Sequence, residues 1–354
     1  MENNTFLTPE VVAKEALMVL TGNLVMADLV HRDYADEFVA VGDTVSIRKP
    51  AKFAAKNFTG TTENQEITEG SVPVKLDRFR DVTVAVTSKQ LSLDIADFSK
   101  QVVEPAMQAI AQAIDEDLLA VGIENAAFVK TGEDAPVDLS DLAALAKHLD
   151  LQKAPAADRS LVLHPEHKYR YALTDNLSAV SYAGDNGCLR DALLGRIYTL
   201  DTYMDQNAPD SAADQPGVGG FTVTGTMGES EVTVDGTVAA GDGFILGGYL
   251  YRFTKGGSGK VTIDQKLMQD AAAQAVYCVN CPSSLAFHKN ALALVTRNLS
   301  LPMGASRAAY AEANGLGVRV VYDYDSATKT DKISFDIIYG IAALEPKLIC
   351  ALRG

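Results

Sequence analysis

Apolar residues recur every three or four positions in some stretches of the chain and every second position in others, which separates helices from strands. The first helical stretch opens at Thr8-Pro9-Glu10: an N-cap, a proline at the first helical position and an early acid. Val12, Ala16 and Val19 carry its stripe, and Gly22 is expected to stop it. So short a helix is marginal alone, so it is expected to pack on something else, another subunit being one option. Ser99 opens the longest helical pattern, with Val103, Met107, Ile110, Ile114, Leu118 and Val121 at its apolar positions and Pro105 able to kink its start. A helix over 106–127 would be about 33 Å long. Another is expected at Asp141–Leu151, with Leu142, Leu145 and Leu149 on one face and Pro155 closing it.

Alternation predicts the strands. Val45 and Ile47 share a face of Thr44–Lys49, which Pro50 ends; Val72, Val74, Leu76 and then Val82, Val84, Val86 resume the pattern. Residues 51–70 are polar and lack a core pattern. A structureless stretch of that length inside a compact domain points to a functional excursion. Its charge is segregated: Arg48, Lys49, Lys52 and Lys56 make the stem basic, and Glu63, Glu66 and Glu69 make the far side acidic. The plainer reading is a solvated hairpin with scattered charge. Further on, Arg159–Leu163 reads as a strand, His164-Pro165-Glu166 as a helix start, and Ile197–Tyr203 as a strand. Nearly half of the chain's 27 glycines then fall between residues 217 and 259, where no helical period survives. Short β runs do survive there, at Phe221–Thr226, Glu231–Val234, Gly243–Leu246, Tyr249–Thr254 and Lys260–Asp264, with Gly247-Gly248 as a hairpin turn. This block reads as a small inserted β unit. Val318–Tyr324, Ile333–Tyr339 and Lys347–Leu352 close the chain as strands.

Composition narrows the functional classes. With 354 residues, 47% hydrophobic and 22% charged, the chain is globular and long enough for two or three structural units. Its 46 acidic against 31 basic residues give a net charge of −15, which argues against a dedicated grip on nucleic acid. No apolar run approaches the ~18–20 residues that cross a bilayer. Met1-Glu2-Asn3-Asn4 lacks the basic start of a signal peptide, so a reducing cytoplasm is expected. The four cysteines (Cys188, Cys278, Cys281, Cys350) are too scattered for a disulfide framework, and 5 histidines leave little for a histidine-based active site.

Candidate motifs fail on inspection. Cys278-Val-Asn-Cys281 has zinc-knuckle spacing but no second pair. His164-Pro-Glu-His167 is not the His-Glu-x-x-His of zinc proteases; His164 is expected to start a helix and His167 to face solvent. Around Gly256-Gly-Ser-Gly259-Lys260, Thr254 and Val261 replace the glycine and hydroxyl residue of a phosphate loop. No Gly-x-Ser-x-Gly elbow is present. Asp323-Tyr-Asp325 lacks the glycine and glutamate of a calcium loop and suits a hairpin tip. No catalytic constellation, cofactor or metal site is expected. The pattern points to work done by surfaces.

The order of features (N-terminal arm, long hairpin, long helix, mixed region with a β insertion, closing strands) resembles the major capsid proteins of tailed bacteriophages, which share the HK97-type fold. Ser284-Leu-Ala-Phe-His-Lys-Asn-Ala-Leu-Ala-Leu-Val295 resembles a recurrent Phe-His-Lys-x-Ala segment of one branch. Gly317–Asp325 and Ile333–Gly340 resemble its closing strands, and Gly241-Asp242-Gly243-Phe244 its Gly-Asp-x-Phe turn. That branch is the podovirus coat proteins with an inserted β domain. The resemblance implies an α+β, HK97-like chain: an N-terminal arm over 1–37, an extended hairpin (E-loop) over 38–92, and the spine helix and P-domain over 93–160. Part of the A-domain over 161–214, the glycine-rich β domain over 215–268, and the remaining A- and P-domain strands over 269–354 complete it. It implies a structural coat protein, not an enzyme, that self-assembles as hexamers and pentamers into an icosahedral head. Scaffolding and portal proteins are the implied partners; DNA is enclosed without sequence-specific binding, and no membrane or cofactor is involved. The implied location is the virion, and the host cytoplasm during assembly. Arg48, Lys49, Lys52, Lys56, Glu63, Glu66 and Glu69 are then candidate intersubunit contacts. An encapsulin-like compartment shell is the alternative of the same fold, and a carbohydrate-active β protein the alternative from another class.

Overall fold

The computed structural model describes residues 9–32, 44–49, 70–87, 99–131, 139–178, 194–209, 222–238, 240, 243–246, 249–274, 282–302, 307–313, 315–326 and 330–353. Helix α1 (Pro9–Asn23) and the single turn α2 (Met26–Leu29) come first, then β1 (Thr44–Lys49), β2 (Gly70–Lys75) and β3 (Arg78–Thr87). The long helix α3 (Glu104–Glu124) leads to β4 (Phe128–Thr131), α4 (Leu139–Leu151), β5 (Arg159–Leu163), α5 (Pro165–Ala172) and the turn α6 (Asp175–Ser178). Next are β6 (Arg196–Ile197), β7 (Leu200–Met204), β8 (Thr222–Gly225), β9 (Glu231–Val238), β10 (Gly243–Leu246), β11 (Tyr249–Arg252), β12 (Gly257–Thr262) and β13 (Ala271–Gln274). The chain closes with β14 (Ser283–His288), β15 (Leu292–Arg297), β16 (Arg307–Ala313), β17 (Leu316–Asp325), β18 (Thr330–Ala343) and β19 (Ile349–Arg353).

Two sequence expectations change at the helices. Gly22 lies inside the last turn of α1 rather than stopping it, and the buried face runs through Val12, Ala13, Ala16, Leu17 and Leu20, leaving Val19 half-buried. That face packs on β16 and β17 of the same chain, so the helix finds its cover at home. The long helix begins as a π-turn, Ser99–Val103, and takes α geometry only from Glu104. Pro105 has no N–H to return to Gln101, which removes the bond that would have tightened that turn. The 21 α residues span about 32 Å.

The chain divides into two compact units. The first takes Met1–Leu24, Arg32–Ile114 and Ala293–Leu344. Its main sheet runs β15-β18-β17-β16, with β3 also paired to β18. β18 pairs with β3 from Thr330↔Thr87 to Tyr339↔Arg78, and with β17 from Arg319↔Asp336 to Asp325↔Thr330. Alternation on β18 puts Ile333, Phe335, Ile337 and Tyr339 into the core. On the opposite face the buried Asp336 is met by Arg319, whose Nε donates to it at 2.9 Å. Separate from this sheet, β1 and β2 form a two-stranded hairpin, from Thr44↔Lys75 to Lys49↔Gly70. Val45, Ile47, Val74 and Leu76 at its root cluster with Ala293, Val295 and Leu344. The backbone at Lys75 crosses Gly340 so closely that a Cβ there would overlap the Lys75 carbonyl oxygen.

The second unit takes Val25–His31, Asp115–Leu292 and Glu345–Gly354. Its mixed sheet has the order β10-β11-β4-β19-β14-β5-β7-β6, so the last strand of the chain lies centrally between β4 and β14. β4 is parallel to β19 and β5 to β7; the joins of β14 to both β19 and β5 are antiparallel. Leu142, Leu145 and Leu149 of α4 fill one core with Leu161, Leu163, Tyr171, Leu200 and Leu352. The glycine-rich block folds as expected into β strands: β12-β9-β8-β13 form a sheet whose core includes Val223, Val232, Val234 and Val261 together with Phe244, Tyr251 and Phe253 of β10 and β11 and the residue after them. β11 joins this block to the larger sheet at one register pair, Tyr249↔Phe128. His148 reinforces the join. Its ring stacks on Phe128 at 4.9 Å and meets Tyr249 edge-on at 5.7 Å, and its Nε2 donates to the Lys347 carbonyl at 3.1 Å.

Candidate functional site

The hairpin's charged residues divide at Lys49. Alternation turns Val45 and Ile47 inward and exposes Arg48. The Lys49 ammonium donates to the Leu344 carbonyl at the hairpin root. Lys52, Lys56, Glu63, Glu66 and Glu69 lie outside the described residues.

The motifs set aside in the sequence take structural places. His164 caps α5, its Nδ1 accepting from the Glu166 N–H at 3.1 Å. His167 corrects an expectation: it does not face solvent but is fully buried, with Nδ1 2.6 Å from the Ser284 hydroxyl. The same hydroxyl accepts from the His164 N–H at 2.9 Å. A serine against a histidine has the outline of a nucleophile and base, yet both are 0% exposed, so no substrate reaches them. Their hydrogen bonds instead tie the start of α5 to β14. The Gly256–Lys260 run lies mostly in β12, with a bulge between Ser258 and Gly259, not in a loop ahead of a helix. Asp325 pairs with Lys332 at 3.4 Å across the β17–β18 hairpin. Cys188, Cys278 and Cys281 lie outside the described residues. Cys350 is buried among Leu145, Leu149 and Leu352, and burial pushes its thiol well up. A thiol reagent is therefore expected to leave Cys350 unmodified in the folded chain and to label it after denaturation, as peptide mapping would read.

One buried cation organises the second unit. Arg159, 1% exposed, opens β5. Its guanidinium donates to the carbonyls of Pro155 (2.7 Å) and Ala154 (2.7 Å) and to Thr199 Oγ1 (3.0 Å), and pairs with Asp150 at 2.7 Å. The segment expected as one strand, Ile197–Tyr203, is broken there. Tyr198 (φ 45°) and Thr199 (φ 73°) form a tight turn in the left-handed region, which side chains other than glycine adopt at a cost. Arg196 holds the turn from the other side, donating to the Ala156 carbonyl at 2.9 Å. Nothing in this arrangement carries a reaction; among the described residues no three His, Cys, Asp or Glu side chains converge as a metal site, and no helix is long and apolar enough to cross a membrane.

The comparisons agree with a structural role. The family model described as P22 coat protein, gene protein 5, matches residues 1–186. Among solved structures, a chain from Mycobacterium phage Che8 is 16% identical, covering 93% of this chain and 90% of that one, with a TM-score of 0.58. A chain from the capsid of cyanophage P-SCSP1u is 12% identical, covering 93% and 88%, at 0.54. One from the mature capsid of bacteriophage PhiM1 is 10% identical, covering 88% and 82%, at 0.51. No curated protein matches. At these identities the structural likeness speaks for the fold, the HK97-like capsid fold, and the sequence match for the family. With more than half its length matched, the chain belongs to the P22 coat protein family and is a structural capsid protein rather than an enzyme.

Proposed function

We propose that this coat protein closes into an icosahedral head of hexamers and pentamers around phage double-stranded DNA, guided by a scaffolding protein and joined to a portal, with assembly in the host cytoplasm. The observation that carries the reading is the β1–β2 hairpin. Among the described residues its two strands pair with each other and with no larger sheet, and Val45, Ile47, Val74 and Leu76 pack in the small core with Ala293, Val295 and Leu344. Such an arm is poorly explained within one subunit and well explained by reach towards the next. The charge of −15 suits a wall that encloses DNA without gripping it. Many modest contacts repeated around a closed shell reinforce one another. In this reading residues 1–37 are the arm, 38–92 the E-loop segment, 93–160 the spine and P-domain, 161–214 part of the A-domain, 215–268 the inserted domain and 269–354 the closing strands. Negative-stain images of the chain expressed with its scaffolding protein are expected to show closed particles. Monomers alone, across a range of salt, would overturn the proposal.

Arg48, Lys49, Lys52 and Lys56 against Glu63, Glu66 and Glu69 are its candidate intersubunit charges. Exposed within one hairpin, such pairs contribute only ~0–1 kcal/mol each. Between neighbours, the same charges fix register by attraction and penalise slippage by repulsion. The double substitution Glu66→Lys, Glu69→Lys is expected to slow assembly and make it more salt-dependent while the monomer's circular dichroism stays unchanged. Screening acts over ~8–10 Å, so a defect that persists at physiological salt marks direct contact. Wild-type assembly rates at both low and high salt would remove these acids from the interface.

A further inference from the structure

One titratable ring sits in the join between the glycine-rich block and the larger sheet. His148 of α4 is 3% exposed, with Phe128 of β4 stacked on it at 4.9 Å and an interplanar angle of 15°. Tyr249 of β11 meets the His148 ring edge-on at 5.7 Å and the Phe128 ring edge-on at 5.3 Å. The three rings form one cluster around the register pair that binds β11 to β4. The two nitrogens of His148 are treated unequally. Nε2 lies 3.1 Å from the Lys347 carbonyl, which can only accept, so Nε2 carries the proton. Nδ1 is buried and has no hydrogen-bond partner among the described residues.

These surroundings suit a neutral imidazole. A second proton would sit on Nδ1, where no acceptor meets it, and the positive charge would be buried without an anion. Stacking on Phe128 would return part of that cost, because a ring face attracts a cation, but it supplies neither an acceptor nor water. The charged groups on the surrounding elements have other partners or are open to solvent. On α4, Asp141 pairs with Lys130 of β4 at 3.5 Å, Asp150 pairs with Arg159, and Lys147 is exposed. Arg252 of β11 donates to the Glu124 carbonyl; around β19, Lys347 is exposed and Glu345 and Arg353 are half-buried. The Tyr249 and Tyr251 phenols and the Cys350 thiol complete the set, and burial raises Tyr251 and Cys350 further from the acid range. Burial lowers His148 from the ordinary imidazole value of 6.5, and the Lys347 carbonyl is what pulls the other way.

We propose that His148 is an acid-sensitive joint: its neutral ring holds β11, and with it the glycine-rich block, against β4, and protonation loosens that hold. Once the joint opens, the ring reaches water and both nitrogens find partners, so the open state takes a proton more readily than the closed one. The open ring titrates at the ordinary 6.5 and the closed ring lower. The hold is therefore fully present above pH 6.5 and is lost as the pH falls from there through the lower value of the closed joint. With one proton linked, the closing equilibrium changes by at most about tenfold per pH unit.

Amide hydrogen exchange of the full chain between pH 5 and pH 8, corrected for the intrinsic rate, tests the joint at peptides covering β11 and residues 345–348. Protection there is expected to be level above pH 6.5 and to fall below it by up to about tenfold per unit, while β9 within the block and β18 lose none. His148→Gln keeps an N–H for the Lys347 carbonyl but takes no proton, and is expected to abolish the acid-side loss. His288→Gln, which removes another buried histidine lowered by burial, is expected to leave that loss in place. A level wild-type profile would overturn the joint, as would a loss that survives in His148→Gln or is shared equally by β9 and β18. If the glutamine variant does not fold, exchange of the imidazole C2 proton in the wild-type chain decides. A midpoint below 6.5 at His148, alongside the acid-side loss at β11, supports the joint, and a midpoint at or above 6.5 overturns it.

Discussion

Replacing Gly340 with alanine is expected to destabilise the chain by about 3 kcal/mol, at the upper end of what overpacking costs. The added Cβ would overlap the Lys75 carbonyl oxygen, with the Lys75 carbonyl carbon at 2.9 Å and Val74 Cγ1 at 3.1 Å. These are mostly backbone atoms, so no rotamer change relieves the overlap. Either β2 lifts from the closing strand or β18 bends, and in both cases the small core at the hairpin root opens. Gly22→Ala is the control: nothing lies within 4 Å of its Cβ position, and a glycine in a helix gains about 0.5–1 kcal/mol on becoming alanine. Urea midpoints should therefore move in opposite directions for the two glycines. Equal midpoints for Gly340→Ala and wild type would show that the hairpin crosses β18 less tightly than described.

Arg159→Ala should cost a similar amount for a different reason. It leaves the Ala154 and Pro155 carbonyls without their donor, at ~1–3 kcal/mol for each buried group left unmet, and a cavity where the guanidinium lay. It also removes the guanidinium's donation to Thr199 Oγ1, which holds the strained Tyr198–Thr199 turn. Arg159→Lys is expected to recover less than half of the loss, because an ammonium is a point donor and cannot span both loops as the planar fork does. A midpoint near that of wild type for the lysine variant would mean that charge, not geometry, is what the site requires.

Legibility in the sequence followed chemistry. β1 alternates cleanly because one face is wetter than the other, β17 and β18 alternate over part of their length, and the pattern placed all three within a few residues. β14 is buried on both faces, so its residues show no period, and only the resemblance of the segment to coat proteins drew notice to it. The turn at Tyr198 contains neither glycine nor asparagine, so nothing local announced the break; it depends on Arg159, nearly forty positions earlier in the chain. His167 misled for a related reason, since its partner Ser284 comes from a distant strand. Asp115 left a trace that could have been read: a carboxylate between Ile114 and Leu118, on the apolar side of a long helix, has to be satisfied by something, and the N–H groups of Val25 and Met26 do so. Of the candidate charges, Arg48 and Lys49 had visible alternation to place them, and the others fall in a segment with no apolar pattern at all.

The way β18 is bonded has a mechanical consequence. From Thr330 to Asp336 it carries ladder bonds on both flanks, to β3 and to β17. A pull along the strand strains that whole set of bonds together, as shear, and they share the load. The glycine-rich block joins the other sheet at one register pair, Tyr249↔Phe128, with the His148 ring and the Arg252 donation to the Glu124 carbonyl beside it, and a pull there peels these few contacts in turn. Under tension the ladder around β18 is therefore a strong element and the join at β11 a weak seam, so stretching should part the block from its own sheet long before β18 yields.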